Sequence, residues 1–135
     1  MNAAYTIYYA EDDLDDLYIL SEVMEAYPEV SLRHFANGQL LLETLARTVP
    51  GAWPCLILLD LNMPQLDGRE TLMQLRANDA WNSIPVVLFT TSNSVLDLRF
   101  AAQWQVELIT KPLLFDGMEQ VARRIVGHCR SRLAR

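Results

Sequence analysis

Apolar residues along this chain fall into two alternating patterns. Short runs rich in β-branched and aromatic residues, "YTIYYA" (Tyr5–Ala10), "VSLRHF" (Val30–Phe35), "CLILLD" (Cys55–Asp60), "PVVLFT" (Pro85–Thr90) and "VELIT" (Val106–Thr110), read as strands. Between and after them lie segments with helical spacing. "DLDDLYILSEVMEAYP" has Asp13 as N-cap, acids in its first turn, Ile19, Leu20, Val23 and Tyr27 on one face, and Pro28 as a stop. "NGQLLLETLART" carries Leu41, Leu42 and Leu45 on one side, and "GRETLMQLRAND", "SVLDLRFAAQW" and "FDGMEQVARRIVGHCRSRL" complete the set. The third and fourth strands are apolar at consecutive positions, as expected where both faces of a sheet are covered. Five strand–helix alternations with short connections predict a doubly wound α/β domain with a parallel sheet. Its ligands would bind beyond the carboxyl ends of the strands.

Composition narrows this picture. At 135 residues, 51% hydrophobic and 21% charged, the chain suits one domain, read here as 1–135 with a core of about 4–130 and no effector domain. No apolar run reaches the ~20 residues of a membrane span, and no secretory signal opens the chain, so a cytoplasmic location is expected. Cys55 and Cys129 read as buried or incidental thiols of a reducing compartment. Net charge is −6, with five of the 17 acids in Glu11–Asp16. Arg123, Arg124, Arg130, Arg132 and Arg135 gather at the C-terminus, where cations favour the negative end of a helix. This balance excludes the broad basic surface that nucleic acid requires.

Polar residues stand where the apolar runs stop. The first strand ends in Glu11-Asp12, the third in Asp60, the fourth in Thr90 and the fifth in Thr110-Lys111. In a doubly wound sheet these share one rim. Three carboxylates there repel one another unless a cation joins them, and an all-oxygen, partly hydrated site suits Mg²⁺. His34 and His128 lack ligand spacing for zinc. A metal-bound aspartate beside a lysine and a hydroxyl forms a coherent phosphoryl-transfer site, with the carboxylate as nucleophile. Asp13, Asp15 and Asp16 are read as capping and helix-dipole residues only.

These residues resemble the signature of the bacterial response-regulator receiver domain, chemotaxis-type and stand-alone. It comprises the acidic pair Glu11 and Asp12, Asp60 followed by "LNMPQLDG", Thr90, and Lys111-Pro112. The resemblance covers nearly the whole chain and implies a flavodoxin-like (βα)5 fold with strand order 2-1-3-4-5. It implies that Asp60 accepts a phosphoryl group from a histidine kinase or phosphotransfer protein. It further implies Mg²⁺ held by Asp12 and Asp60, by Glu11 mainly through water, and by the backbone carbonyl of Asn62. Thr90 and Lys111 would grip the phosphoryl oxygens, and the Lys111–Pro112 bond would be cis. Gly68 would relieve a turn of positive φ.

Such a protein signals by contact with a downstream protein rather than by turning over substrates. The resemblance places that contact on the fourth helix, fifth strand and fifth helix, in a monomer or weak homodimer. Asn62 and Ser92, two residues beyond Asp60 and Thr90, would tune the lifetime of the phosphoryl group, and neither can drive hydrolysis. The pattern is departed from at Leu108, where Tyr or Phe is usual, and at Trp104, where a small residue is common. Trp104 or Phe100 would then contribute to the switching surface or simply pack. An EF-hand is excluded by Pro64 at the fifth loop position, and a dehalogenase-type phosphatase is disfavoured by Asn62 in place of a second acid. The alternative of the same fold is an interaction module that works without phosphorylation.

Overall fold

The computed structural model describes residues 5–133. Five parallel strands, β1 (Tyr5–Ala10), β2 (Val30–Phe35), β3 (Leu56–Leu59), β4 (Val86–Thr90) and β5 (Glu107–Thr110), form one sheet in the order β2-β1-β3-β4-β5. Five helices connect and follow them: α1 (Leu14–Met24), α2 (Gly38–Ala46), α3 (Gly68–Ala77), α4 (Val95–Gln103) and α5 (Phe115–Leu133). A short 3₁₀ turn, Pro50–Ala52, precedes β3. The architecture and strand order agree with the expectation. Ala4, at the edge of the anticipated core, and Arg135 of the basic tail lie outside the described residues.

Alternation along the strands builds two apolar layers. Ile7, Tyr9, Leu56, Leu58, Val87 and Phe89 face α1 and α5, meeting Leu20, Val23, Met118, Val121 and Ile125. Tyr8, Ala10, Ile57, Leu59, Val86 and Leu88 face the other way, against Leu41, Leu42, Leu45, Leu72, Leu75 and Ala101 of α2, α3 and α4. β3, at the centre of the sheet, has no exposed residue, which accounts for its unbroken apolar run. Caps fix where helices begin: Asp13 accepts from the Asp15 and Asp16 N–H groups, Asn37 from Leu40, Asp67 from Glu70 and Ser94 from Asp97.

Local expectations are corrected at several points. Of the residues expected on one face of α1, Leu20 and Val23 are buried, joined by Met24, whereas Ile19 is exposed. Cys55 and Cys129 are bonded to each other rather than free. The residue leading into β3 and the last turns of α5 pack in the same layer, bringing their Cα atoms to 5.0 Å across a sequence separation of 74. The Lys111–Pro112 bond is trans, since the described chain has no cis peptide. Lys111 is oriented by its N–H, which donates to the Thr90 carbonyl at 2.7 Å and extends the ladder past β5. Gly68 does not have positive φ; the left-handed residues are Gln65 and Gln105. Gly68 is needed for close approach instead, because a Cβ there would lie 2.2 Å from the Asp60 carbonyl oxygen.

Candidate functional site

The site grows from the carboxyl ends of β1, β3 and β5. The parallel register sets Ala10 beside Leu59, so Glu11 and Asp60 leave the sheet side by side. Asp12 follows on the loop into α1. Single carboxylate oxygens of Glu11, Asp12 and Asp60 lie within 4.8 Å of one another. Glu11 is wholly buried and Asp60 nearly so, while Asp12 is exposed. An open cavity of about 430 Å³ covers them, lined also by Asp13, Asp16, Asn62, Thr91 and Lys111.

Lys111, the only lysine in the sequence, enters this cluster from the end of β5. Its Nζ donates to Glu11 Oε1 at 2.5 Å, Asp16 Oδ2 at 2.8 Å and Asp60 Oδ2 at 2.9 Å. A compact ammonium with three donors can serve three carboxylates that do not share a plane, which a flat guanidinium cannot do as well. Burial alone would lower the lysine pKa, but these three carboxylates outweigh it and hold the ammonium above its usual range. Glu11 moves the other way. Burial first, and then its contact with Asp60, push its carboxyl up to about 7, against the opposing pull of Lys111 and Tyr9. The Tyr9 hydroxyl donates to Glu11 Oε1 at 2.7 Å, and His34 Nε2 lies 2.6 Å from the Glu11 carbonyl oxygen. These contacts fix Glu11 from behind.

Asp60 has a backbone donor of its own, the Asn62 N–H at 3.1 Å from Oδ1. Thr90 is fully buried at the end of β4, and its Oγ accepts the Ser92 N–H at 3.2 Å. It does not line the acidic cavity, where Thr91 forms that part of the wall. The structure therefore gathers Glu11, Asp12, Asp60, Asn62 and Lys111 around one space, and sets Thr90 just behind it. Asp16, expected only to cap α1 or favour its dipole, also belongs to the lysine's shell. Its position three residues after the N-cap Asp13 turns it back toward the rim, a signal visible in the spacing. On the far side, Phe100 and Trp104 lie with ring centroids 6.2 Å apart and pack, with Leu108, against the α2–α4 layer.

The donor set is entirely carboxylate, partly open to solvent and in excess over its one internal cation. That chemistry fits a hard dication that keeps some of its waters. Among the described residues no other group of this kind occurs.

An acidic trio and a lysine meeting at the rim of a doubly wound parallel sheet define a receiver-type signalling domain. The model of the response regulator receiver domain matches residues 7–123, and the chain belongs to that family. It is 33% identical to the response regulator Rcp1 of Synechocystis over 101 residues, 72% of this chain and 69% of that one. It is 40% identical over 73 residues to a probable methanogenesis regulatory protein, FilR2, of Methanothrix harundinacea. That alignment covers 53% of this chain and 47% of the relative, so the chain spans about half the length of that protein. Among solved structures, the phosphorylated cyanobacterial phytochrome response regulator RcpA superposes with a TM-score of 0.81 at 27% identity, covering 91% of both chains. The Mn²⁺-bound form of Rcp1 gives 0.78 at 28% identity, covering 90% of this chain and 91% of its own. Among the described residues no helix is long and apolar enough to cross a membrane.

Proposed function

We propose that the chain is a phosphoacceptor response regulator of a two-component or phosphorelay system, modified on Asp60. The observation that carries this reading is the charge arrangement. Asp60 shares a partly open rim with buried Glu11 and exposed Asp12, and its Oδ2 lies 2.9 Å from the Nζ of the one lysine. An Asp60 carboxylate oxygen forms the bond to phosphorus, the phosphorus–nitrogen bond of a phosphohistidine donor breaks, and the leaving imidazole takes a proton. Lys111 neutralises charge on the transferred oxygens, and the Thr90 hydroxyl donates to one of them once β4 has moved toward the cavity.

Glu11, Asp12, Asp60 and the Asn62 carbonyl are the residues that would hold Mg²⁺, with Glu11 acting through water. The ion supplies further neutralisation of the phosphoryl oxygens. Asn62 offers no general acid two residues after Asp60, so the reaction ends on the protein's own side chain, with no turnover of external substrates. Asn62 and Ser92 leave the phosphoryl group an intermediate lifetime.

The donor is a histidine kinase or phosphotransfer protein of the cytoplasm. Leu14 and Tyr18 of α1 and Leu113 and Leu114 after Lys111 are exposed apolar residues on the segments that follow Asp12 and Lys111, and they are the surface offered to that donor. The downstream protein meets the face formed by α4, β5 and α5. Support comes from Val95, Leu96 and Leu98, which leave α4 with an unusually apolar outer surface. Incubation with Mg²⁺ and acetyl phosphate, followed by intact-mass measurement, tests the reading. One phosphoryl adduct is expected on the wild type and none on Asp60→Asn. No adduct on either, together with no Mg²⁺ binding, would favour a module that works without phosphorylation.

A further inference from the structure

A second polar cluster lies under the loop between β4 and α4. Asp97, in the first turn of α4, is only 4% exposed, yet it carries a carboxylate. One of its oxygens accepts from Arg69 Nη2 and the other from the Ser92 hydroxyl. Its own N–H donates to the Ser94 hydroxyl at 3.2 Å. The Ser92 hydroxyl, and then Arg69, hold the carboxyl below its usual range although burial opposes them.

Both ends of this cluster begin beside the reacting groups. Arg69 directly follows Gly68, whose backbone lies so close to the Asp60 carbonyl that a Cβ would stand 2.2 Å from its oxygen. Ser92 is tied to Thr90 by the bond from its N–H to the threonine Oγ at 3.2 Å. Thr90 has no exposed surface and is absent from the wall of the acidic cavity, where Thr91 stands instead. Carrying the Thr90 hydroxyl from this buried place to a phosphoryl group on Asp60 displaces the loop whose Ser92 N–H is bonded to it. Ser92 is drawn along by its N–H, and its hydroxyl cannot leave without taking a partner from Asp97. Asp97 in turn is anchored to α3 through Arg69. The loop's movement is therefore opposed by a charge-assisted contact between two helices.

We propose that Arg69 and Ser92, acting through Asp97, are positioning residues that latch the β4–α4 loop in its resting place and so limit the rate of Asp60 phosphorylation. The inference rests on the phosphoacceptor reading and adds a control on it. A contact made in only one of two conformations biases their equilibrium by its own free energy. Loosening this latch raises the fraction of molecules with Thr90 in reach.

The test compares wild type with Arg69→Ala, Arg69→Lys and Ser92→Ala, each checked by thermal melting. The initial rate of phosphorylation by acetyl phosphate is measured at saturating Mg²⁺. Arg69→Ala is expected to phosphorylate roughly two- to fivefold faster, the effect of losing one partly exposed ion pair from the resting state. Arg69→Lys returns toward the wild-type rate, and Mg²⁺ affinity of the unmodified protein stays the same in all four. Ser92→Ala, which removes only a hydroxyl, is expected to shift the rate in the same direction and guards against a folding defect in Arg69→Ala. Unchanged or slower phosphorylation in folded Arg69→Ala and Ser92→Ala, while the wild type takes the group normally, would overturn the latch alone. A wild type that takes no phosphoryl group would overturn the reading beneath it and the latch together.

Discussion

Asp60 and Asp97 are two aspartates of nearly equal burial, 7% and 4% exposed, held in opposite ways. Asp97 is matched: one guanidinium, one hydroxyl from Ser92 and a capped helix start account for its charge. Asp60 is not. Glu11, Asp12 and Asp16 crowd the same rim, and Lys111 is divided among Glu11, Asp16 and Asp60. A buried carboxylate with its own partners is a structural joint. One that must share a single cation with other acids is a place where a dication or a phosphoryl group changes the balance. Burial alone does not distinguish the two; the ratio of acids to cations around them does.

The contrast can be broken most forcefully at the shared cation. Replacing Lys111 by Met leaves Glu11, Asp16 and Asp60 together without an internal counter-charge. The metal-free protein is expected to lose about 3 kcal/mol in urea unfolding, the scale for breaking a buried pair. Mg²⁺ then restores part of that loss by binding only the folded state. A loss that Mg²⁺ leaves untouched would mean that the ion does not bind among these acids.

Neutralising the two aspartates should move stability in opposite directions. Asp97→Asn weakens charge-assisted bonds from Arg69 and Ser92 and is expected to cost about 1.5 kcal/mol. The Asp97 carboxyl is held below its usual range in the folded protein. Its contribution is therefore present above the unfolded value of about 3.9 and fades as pH falls through the lower folded value. The difference between wild type and Asp97→Asn should narrow accordingly in acid unfolding curves. Asp60→Asn removes one acid from an over-supplied rim, and the metal-free variant is expected to gain up to about 1 kcal/mol. It should also lose the rise in melting temperature that Mg²⁺ gives the wild type. Destabilisation by Asp60→Asn comparable to that by Asp97→Asn would erase the distinction.

The fold was legible because its signals are repeated. Consecutive apolar residues in β3 and β4, Asp13 before α1 and Pro28 after it each have a local physical cause. Glu11, Asp12, Asp60 and Lys111 were legible for a related reason, as charges ending apolar strands. What escaped depends on distances between remote segments. The Cys55–Cys129 bond needs the last turns of α5 to settle over the start of β3, which neither cysteine's neighbours reveal. Gly68 reads as a turn glycine in isolation, and only the packing of α3 against the Asp60 carbonyl shows that it makes room. Asp97 looks like an ordinary first-turn acid until Arg69 arrives from α3 to meet it. Asp16 was half legible, since the helix register that makes it a dipole residue also turns it toward Lys111.

The most direct test of the account is to locate the modification itself. Protein treated with acetyl phosphate and Mg²⁺ is reduced with borohydride, which converts an aspartyl phosphate to homoserine, then digested and mapped by mass spectrometry. The account predicts homoserine at position 60 and at no other acid of the rim. Homoserine at Asp12, Asp13 or Asp16, with Asp60 intact, would contradict it.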